Sequence, residues 1–322
     1  MPGTAYPVSV ILRWPSGEEV QNQAMTTQQP SFVASRAFGD AVVSIISDGI
    51  LLTAPMISWL GVSEAEARAA MPEADAAGNM AIGMNIAHVR TGGASILLDP
   101  GWGDLSPSSW LVTDLGGERS PGVQAGLAAL GIQPEEITHV LISHAHDDHF
   151  TGSTVERGGR HAPRYPRARY LLGRADWEGN RRREDARSEV AMHLGTLDRL
   201  GLLDLVDGDY EVVPGVTMIH APGESPGHSI MRVHSGGQTF FYLGDLIHHP
   251  CEIERLDWIL FERDDEARRA AHASKERLAA EAVASGASLI FTHGRFPGWG
   301  RILRAGAGYR WEDEAPTMPG DS

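Results

Sequence analysis

The sequence predicts an α/β fold of the α+β type, in which two mixed β-sheets pack together and helices cover their outer faces. Three observations support this prediction. Short apolar runs typical of strands occur in both halves of the chain, and turn residues join several of them into hairpins. The helical patterns lie among these strands without the regular alternation of a parallel sheet. No linker divides the chain after about residue 40, so we expect one domain at residues 39–322, preceded by an arm or partly disordered extension at residues 1–38.

Hairpins are predicted at the start of the domain and again in its second half. Residues 42–52 contain two apolar runs around Asp48-Gly49, a dipeptide typical of a tight hairpin turn. Residues 81–99 contain two further runs around a Thr-Gly-Gly turn. Single strands are predicted at residues 138–143, 168–172, 211–213, 216–220 and 288–291, and a third hairpin at residues 229–243.

Four helices are predicted among these strands. Ser63 and Glu66 have the spacing of a capping box, so a short helix should follow them. A second helix is predicted at residues 120–131, with Pro near its start and Gly at its end. Residues 184–200 are rich in Arg and Glu, which predicts an exposed helix, and residues 264–284 form a long Ala-rich helix with acids at its start.

The composition excludes several classes of partner. Of 322 residues, 42% are hydrophobic and 21% are charged, so a substantial core can be buried. The net charge of 27 − 42 = −15 argues against nucleic acid and anionic lipid as partners. No apolar run has the length of a membrane span, and the single cysteine, Cys251, cannot form an intrachain disulfide. We therefore expect a cytoplasmic protein with a small-molecule substrate, which could form a homodimer through its N-terminal arm.

The most informative stretch is His144-Ala145-His146-Asp147-Asp148-His149, on a predicted loop directly after a strand. Neutral imidazole nitrogen and carboxylate oxygen are ligands that zinc and similar ions accept. One ion cannot easily take four such side chains and keep a position open for water. We therefore predict two ions, with His144 and His146 on one and Asp148 and His149 on the other. The alternative is a polar loop of solvated histidines, which this density of ligands disfavours.

Three later stretches complete the predicted site, because each places His or Asp beside a glycine near a strand. They contribute His228, Asp245 and His293. We assign His228 to the ion of His144 and His146, His293 to the other ion, and Asp245 to both as a bridge. Either histidine alone could equally be structural, but their order in the set favours ligands. Two divalent ions with two carboxylates and a hydroxide leave net positive charge, so a hydroxide held between the ions is the predicted nucleophile.

This series of motifs resembles the metallo-β-lactamase superfamily over about residues 40–300. The resemblance implies an αββα sandwich with a dinuclear site at one edge of the sheets, and the same ligands position by position. It also implies two divalent ions, zinc foremost, with Mn²⁺ or Fe²⁺ as alternatives. Asp99, which precedes Pro100-Gly101, matches an acidic position that orients a ligand in the family. The alternative for Asp99 is a turn-forming aspartate.

Two departures refine the resemblance. His248 follows Asp245 by three residues, which is similar to the branch containing methyl parathion hydrolase and related esterases and lactonases. His248 could donate a hydrogen bond to the substrate or act as an acid, or it could only orient Asp245. Glu224 replaces the first histidine of the family's Thr-Pro-Gly-His-Thr-Pro-Gly-His run. We expect Glu224 beside the ligands rather than among them.

The predicted function is metal-dependent hydrolysis of a neutral ester-like bond, in an aryl or carboxylic ester, a lactone or a phosphotriester. Asp148, Asp245 and His248 are the predicted catalytic residues. Trp102, Phe150 and Phe296 are expected to line an apolar cleft, although each could instead pack in the core. The first alternative is a lactonase acting on acyl-homoserine lactones, followed by a β-lactamase. A metal-binding scaffold without hydrolysis is the alternative outside the enzymes.

Overall fold

The computed structural model describes residues 32–104, 110–118, 121–260 and 265–314. In these ranges two mixed β-sheets stack face to face, and helices pack on the outer face of each sheet. This αββα sandwich is the predicted architecture. The predicted N-terminal arm, with the homodimer contact expected of it, lies outside the described residues except for residues 32–38.

Strands make up most of the described secondary structure. In chain order they are β1 (Val33–Phe38), β2 (Ala41–Pro55), β3 (Asn79–Thr91), β4 (Ala94–Leu98), β5 (Gly117–Glu118), β6 (His139–Ile142), β7 (Thr154–Arg157), β8 (Arg160–Pro163), β9 (Arg169–Gly173), β10 (Leu203–Val206), β11 (Tyr210–Val213), β12 (Val216–His220), β13 (Ser229–Ser235), β14 (Gln238–Tyr242), β15 (Ser288–Ile290), β16 (Gly300–Ala305) and β17 (Gly308–Asp313).

Most of the helices are short. In chain order they are α1 (Glu64–Ala70), α2 (Trp110–Thr113), α3 (Val123–Ala129), α4 (Asp147–Phe150), α5 (Arg174–Glu178), α6 (Glu189–Met192), α7 (Leu194–Arg199), α8 (Cys251–Glu254) and α9 (Asp265–Ser285). Single 3-10 turns lie at Pro134–Glu136, Thr151–Ser153 and Arg181–Glu184. Among the described residues, no helix combines the length and the apolar character needed to span a bilayer.

Each sheet mixes antiparallel and parallel pairing. The first sheet has the order β1-β2-β3-β4-β6-β9-β10, with β5 paired to β2. Its β4, β6, β9 and β10 run parallel to one another. The second sheet runs in sequence order from β11 to β17, and only its β14–β15 pair is parallel in the part of the chain described. β7 and β8 form a separate hairpin.

Strands with apolar residues on both faces account for the layers. In β6, Val140 and Ile142 face the helices that cover the first sheet, whereas Leu141 faces the space between the sheets. In β14, Phe240 faces that same interior and Phe241 faces the layer of α9. Because successive side chains of a strand point to opposite faces, this composition buries both sides of each strand. Full burial of each such side chain contributes about 1.5–3 kcal/mol.

The hairpin predicted at residues 42–52 is wrong. Those residues belong to one long strand, β2, which pairs with β3 on both sides of a register shift between Ser47 and Gly49. The Asp48 carboxylate accepts hydrogen bonds from the buried amides of Trp102 and Val123, both at 3.0 Å. Asp48-Gly49 therefore forms a bulge whose side chain points into the protein, and the chain does not reverse there.

The exposed helix predicted at residues 184–200 is also wrong. The segment contains two short helices, α6 and α7, which break at His193. Val190, Leu194 and Leu197 are fully buried in the core on the outer face of the first sheet. The charged residues that suggested exposure cluster before α6, where they do form exposed turns.

The first sheet also begins earlier than predicted. Val33–Phe38 lies in the range expected to be an arm, yet it forms β1 and pairs residue for residue with β2. Val33 and Phe38 are buried in the two core layers. The hairpin of β16 and β17 has no counterpart in the sequence prediction. By contrast, the capping box at Ser63 and Glu66 is confirmed, with both reciprocal hydrogen bonds present.

Candidate metal centre

The candidate ligands lie at strand ends that meet at one edge of the sandwich. Parallel β4 and β6 lead directly into Asp99 and into the motif that begins at His144. Parallel β14 and β15 lead into Asp245 and His293, and His228 stands directly before β13. Because the carboxyl ends of parallel strands meet at the same edge of a sheet, side chains far apart in sequence converge there.

The central motif is partly helical, whereas the sequence predicted a loop. His146 has extended backbone angles, and the helical turn α4 begins at Asp147. An acidic residue is favourable at the start of a helix, and Asp147 is also paired with Arg182 at 2.8 Å. Asp148 and His149 project from this turn, so their positions are fixed by helical geometry.

One compact group of donor atoms comes from His144, His146, Glu224 and Asp245, which all lie within 4.8 Å of one another. His146 Nδ1 is 3.1 Å from Glu224 Oε1, and His144 Nε2 is 3.9 Å from Asp245 Oδ2. His144 is fully buried, whereas the His146 side chain is 46% exposed. The sequence predicted Glu224 beside the ligands, but its carboxylate lies within this group.

A second compact group comes from Asp148, His149 and His293. The Nε2 atoms of both histidines lie 3.5–3.6 Å from Asp148 Oδ2. The same two atoms lie 3.2 and 3.1 Å from Asp245 Oδ2. Asp245 therefore stands between the two groups, at the position predicted for a bridging carboxylate. Two atoms that bind one zinc ion tetrahedrally at 2.0–2.1 Å are about 3.4 Å apart, which is close to these separations.

His228 lies at the margin of the first group. Its Nδ1 donates to the carbonyl oxygen of Ala221 at 3.1 Å, so its Nε2 carries a lone pair. That Nε2 accepts a hydrogen bond from the Asp245 amide at 3.2 Å. Gly244, with φ +52°, permits this approach, because a Cβ there would lie 2.9 Å from His228 Nε2. The structure thus brings His228 to Asp245 but does not include it in the compact set.

The residues at this edge fit divalent cations. In the described part of the chain, His144 Nε2, His149 Nε2 and Asp245 Oδ1 are buried without a hydrogen-bond partner. A buried polar atom without a partner costs about 1–3 kcal/mol, and cations bound at the two donor groups would satisfy all three. The imidazole and carboxylate donors are also the chemistry that first-row divalent ions accept.

Burial and neighbouring charges shift the pKa values of the candidate ligands, and the direction of the shift differs between residues. Burial lowers the pKa of His228 to about 4 and also lowers that of His144, which favours the neutral imidazole that binds metal. Burial likewise opposes the charged form of His149, but Asp245, Asp148 and Asp99 raise its pKa well above the usual value. Burial raises the pKa of Asp245, yet His149 and His293 hold it well below its usual value. The carboxylates that favour a proton on His149 would equally attract a cation.

Asp99 organises the histidines of the central motif. Its carboxylate accepts hydrogen bonds from His149 Nδ1 at 2.8 Å, from the Ser143 amide and hydroxyl at 2.7 and 2.8 Å, and from the Tyr242 hydroxyl at 2.9 Å. Because the Ser143 hydroxyl donates to Asp99, it accepts from His144 Nδ1 at 3.0 Å. Asp99 therefore directs the Nε2 lone pairs of both histidines toward Asp245. Ser143 and Tyr242 were missed in the sequence, although both lie next to residues of the motifs.

Asp176, in α5, is another residue that the sequence did not reveal. It is buried, and its carboxylate accepts from the Ala145 amide at 3.0 Å, the Ser225 hydroxyl at 2.6 Å and the Gly227 amide at 2.6 Å. Burial raises the pKa of Asp176, and these three donors oppose that effect. Asp176 joins the loop of His144 to the loop of His228. No local pattern distinguishes it from other helical aspartates.

His248 lies at the border of both groups. Its Nε2 is 3.5 Å from Asp245 Oδ2 and 3.6 Å from Glu224 Oε2. Burial opposes its charged form, but Asp245, Glu224 and Glu252 raise the pKa of His248 to about 9. Glu252 also accepts the His248 amide at 3.0 Å and binds the buried Lys275 ammonium at 2.6 Å.

Two of the three residues predicted to line the cleft do not do so. Trp102 is 2% exposed, and its indole N–H donates to the Asp48 carbonyl at 3.0 Å inside a small apolar cluster. Phe150, the last residue of α4, is fully buried in the core on the outer face of the first sheet. The cleft prediction is corrected for both, because each finds its partners on the inner side of the backbone. Phe296 is partly exposed, and it packs against the core between the sheets.

Comparison with known proteins agrees with this geometry. Residues 85–292 match a family model described as the metallo-beta-lactamase superfamily. An N-acyl homoserine lactonase of Bacillus cereus is 32% identical over 107 residues, which are 33% of this chain and 37% of that protein. One of Bacillus thuringiensis is 30% identical over 108 residues, with the same coverage. The matched stretch thus spans little more than a third of the length of these relatives.

Two solved structures share the fold over 90% of this chain and 100% of their own. A hydrolase called AbOPH, in the beta lactamase superfamily, superposes with a TM-score of 0.71 at 18% identity. AidC, described as a dizinc quorum-quenching lactonase and solved with a bound product, superposes with a TM-score of 0.69 at 20% identity.

Proposed function

The chain belongs to the metallo-beta-lactamase superfamily, and we propose that this hydrolase opens the ester bond of neutral lactones, with N-acyl homoserine lactones as the substrate class to test first. The observation that carries the proposal is the convergence of two donor groups on Asp245, where buried histidine and carboxylate atoms are left without partners. Such a site can activate water next to a substrate carbonyl.

We assign two divalent ions, zinc foremost, to the two donor groups. His144, His146 and His228 would hold one ion, Asp148, His149 and His293 the other, and Asp245 would contact both. When bound, the ions would lower the pKa of water and polarise the carbonyl oxygen of an ester. The hydrogen bonds of Asp99 and Asp176 hold the ligand loops in position before any substrate arrives.

The chain's own residues favour a neutral substrate. Next to Asp245 a small cleft is lined by Glu224, Glu252 and His248, with apolar walls that include Leu246 and Ile259. The ammonium of Lys275, which also lines it, is already bound to Glu252. An anionic substrate would meet carboxylates here, whereas the acyl chain and uncharged ring of a lactone would not be repelled.

His248 is the proposed proton donor to the leaving oxygen. Its Nε2 lies 3.5 Å from Asp245 Oδ2, beside the proposed ions, and the carboxylates of Glu224 and Glu252 also face its ring and favour its protonated form. A protonated imidazole can donate to an alkoxide as the ester bond breaks.

The relatives support the lactone substrate, since the two that were compared in sequence are N-acyl homoserine lactonases. The position of His248, which resembles the methyl parathion hydrolase branch, supports aryl esters and phosphotriesters as the second candidate class.

A substrate panel tests the proposal. The enzyme is depleted of metal, reloaded with Zn²⁺, and assayed with N-hexanoyl homoserine lactone, an aryl ester, a phosphotriester and a β-lactam. We expect the highest kcat/KM on the lactone, and activity that disappears with chelator.

His248→Ala should lower kcat on the lactone by about 100-fold. His249→Ala is the matched control, because His249 is paired with Glu73 at 2.7 Å instead. Preference for another substrate of the panel would replace the lactone assignment, and no metal-dependent turnover at all would leave a metal-binding scaffold.

A further inference from the structure

Glu224 occupies an unusual place for a loop glutamate. It lies between β12 and β13, four residues before His228, and its side chain is only 2% exposed. The run that contains it resembles one in which the superfamily has a histidine. A carboxylate withdrawn from water to this degree needs strong compensation, which in proteins comes from ion pairs, hydrogen bonds or metal ions.

One carboxylate oxygen of Glu224 faces a candidate metal ligand, and the other faces His248. Oε1 is 3.1 Å from His146 Nδ1, and Oε2 is 3.6 Å from His248 Nε2. The donor atoms of His144, His146, Glu224 and Asp245 all lie within 4.8 Å of one another. The 3.1 Å between His146 Nδ1 and Glu224 Oε1 is close to the separation of about 3.4 Å expected for two atoms that bind one cation.

A second observation independently points to a cation in this group. His144 is fully buried, its Nδ1 is satisfied by Ser143, and its Nε2 has no partner. Asp245 Oδ1, in the same group, is also buried without a partner. Two carboxylates and an unpartnered imidazole lone pair therefore meet in a buried space, which is chemically a site for a positive ion.

We propose that Glu224 is itself a ligand of the ion assigned to His144 and His146, so that this half of the centre has two carboxylates. The inference rests on the two-ion assignment of the proposed function. It gives this ion five ligands, three imidazoles and two carboxylates, because Asp245 and His228 also lie beside the group. Carboxylate oxygen and higher coordination suit Mn²⁺ and Fe²⁺ more than they suit Zn²⁺, which most often takes four ligands.

The simpler alternative is that Glu224 only accepts a hydrogen bond from His146 and orients its ring. The two roles separate in Glu224→Gln. A glutamine oxygen can still accept a hydrogen bond from His146, but a neutral amide is a much weaker ligand than a carboxylate. Loss of metal in this variant therefore reports ligation, and unchanged binding reports orientation.

The test measures metal binding by the full chain, separately from turnover. Metal-depleted protein is titrated with Mn²⁺ alone and with Zn²⁺ alone by calorimetry, bound metal is counted by mass spectrometry, and the Mn²⁺ site is followed by electron paramagnetic resonance. We expect wild type to bind two ions of either metal. In Glu224→Gln we expect the site of His144 and His146 to lose Mn²⁺ affinity by about tenfold or more, with a smaller loss for Zn²⁺.

Glu189→Gln is the matched control, because Glu189 Oε2 lies 2.9 Å from His193 Nε2 in a glutamate–histidine pair away from the centre. It should bind both metals as wild type does. Glu224→Asp is the second variant, for use if Glu224→Gln fails to fold. It keeps the charge but shortens the side chain, so it should change the Mn²⁺ spectrum. Unchanged Mn²⁺ binding in Glu224→Gln, or an unchanged spectrum in Glu224→Asp, overturns the inference. If the wild type binds both ions but hydrolyses no lactone, the proposed substrate is wrong, whereas the assignment of Glu224 as a metal ligand is unaffected.

Discussion

Asp99 combines an unusual backbone with a concentrated set of hydrogen bonds. Its φ of 58° is the only positive value at a non-glycine residue in the described chain, and its side chain is fully buried. Aspartate tolerates this conformation better than most residues do. The geometry lets one carboxylate, placed just past β4, reach Ser143, His149 and Tyr242 together. The hydrogen bonds of Asp99 to His149 and to Ser143, which in turn contacts His144, explain why the strain is accepted here.

Asp99→Asn tests this role. Asparagine tolerates the same backbone angles, so the fold should be kept, but it has one acceptor oxygen and brings an N–H₂ toward donors. We expect metal affinity to fall by about 10–100-fold, because the Nε2 atoms of His144 and His149 lose their fixed direction. Competition with a chelator of known affinity measures the change. Asp207→Asn, which breaks only the exposed pair with Arg174, is the control, and equal affinities in the two variants would contradict the role.

His88 should make stability depend on pH. It is 2% exposed and its Nε2 lies 2.8 Å from Ser95 Oγ. Burial, with Arg90 nearby, lowers its pKa from 6.5 to about 4. Between these values the unfolded chain binds the proton and the folded chain does not, so stability rises with pH across this window. Below pH 4 the contribution is lost, and above pH 6.5 it is complete.

His88→Gln should remove the contribution of His88 to this dependence, and the lowered pKa values of His144 and His228 leave the rest. Urea unfolding at several pH values between 4 and 6.5 should show a flatter free energy of unfolding, with a difference across the window of about 3 kcal/mol from wild type. His272→Gln, on the exposed face of α9, is the control and should keep the wild-type slope. Parallel pH profiles for wild type and His88→Gln would show that another group is responsible.

The elements that the sequence predicted correctly are those whose signal is local. The capping box at Ser63 and the continuous apolar runs of β6 and β14 each depend on neighbours in sequence. The candidate ligands were found for the same reason, because most of them fall in short motifs. Trp102 and Phe150 could not be placed, since a residue beside a ligand can face either the cleft or the core. The sequence placed Glu224 beside the ligands, but its position within the donor group, like the role of Asp176, depends on contacts between distant loops that no local pattern encodes.

β2 shows how one side chain can reverse a local signal. Asp-Gly favours a turn, but here the Asp48 carboxylate accepts the amide of Val123, which opens α3, and the amide of Trp102 in the loop after Asp99. Val123 lies 75 residues and Trp102 54 residues from Asp48 in the sequence. The same bond satisfies a helix N-terminal amide that would otherwise be unpaired. The strand therefore continues through a bulge.

Asp48→Ala should destabilise the protein by about 2–4 kcal/mol, because two buried amides lose their acceptor. Urea unfolding measures the loss, and Asp48→Asn should be less severe since one acceptor oxygen remains. Asp40→Ala, in the exposed turn between β1 and β2, is the control and should change stability by less than about 0.5 kcal/mol. If Asp48→Ala behaves like Asp40→Ala, the bulge is held by strand pairing alone.

At the scale of the whole molecule, the candidate centre joins the two sheets. The motif from His144 to His149 belongs to the first sheet, whereas His228, Asp245 and His293 belong to the second. Ions bound there would cross-link the two layers at one edge, in addition to the apolar core between them. Metal binding should therefore stabilise the entire sandwich, since the donor set exists only when both sheets are in place.

Thermal unfolding with and without metal measures this coupling. Free metal at 1,000 times its dissociation constant stabilises by about 4 kcal/mol for each site. For a domain of this size each kcal/mol raises Tm by about 2–4 °C, so loading one site should raise Tm by roughly 8–16 °C. Asp245→Ala should lose most of the increase, because Asp245 contacts both donor groups. Glu189→Gln should keep it. A metal-independent Tm in wild type would mean that the two sheets close without the ions, and that the histidine edge does not bind them tightly.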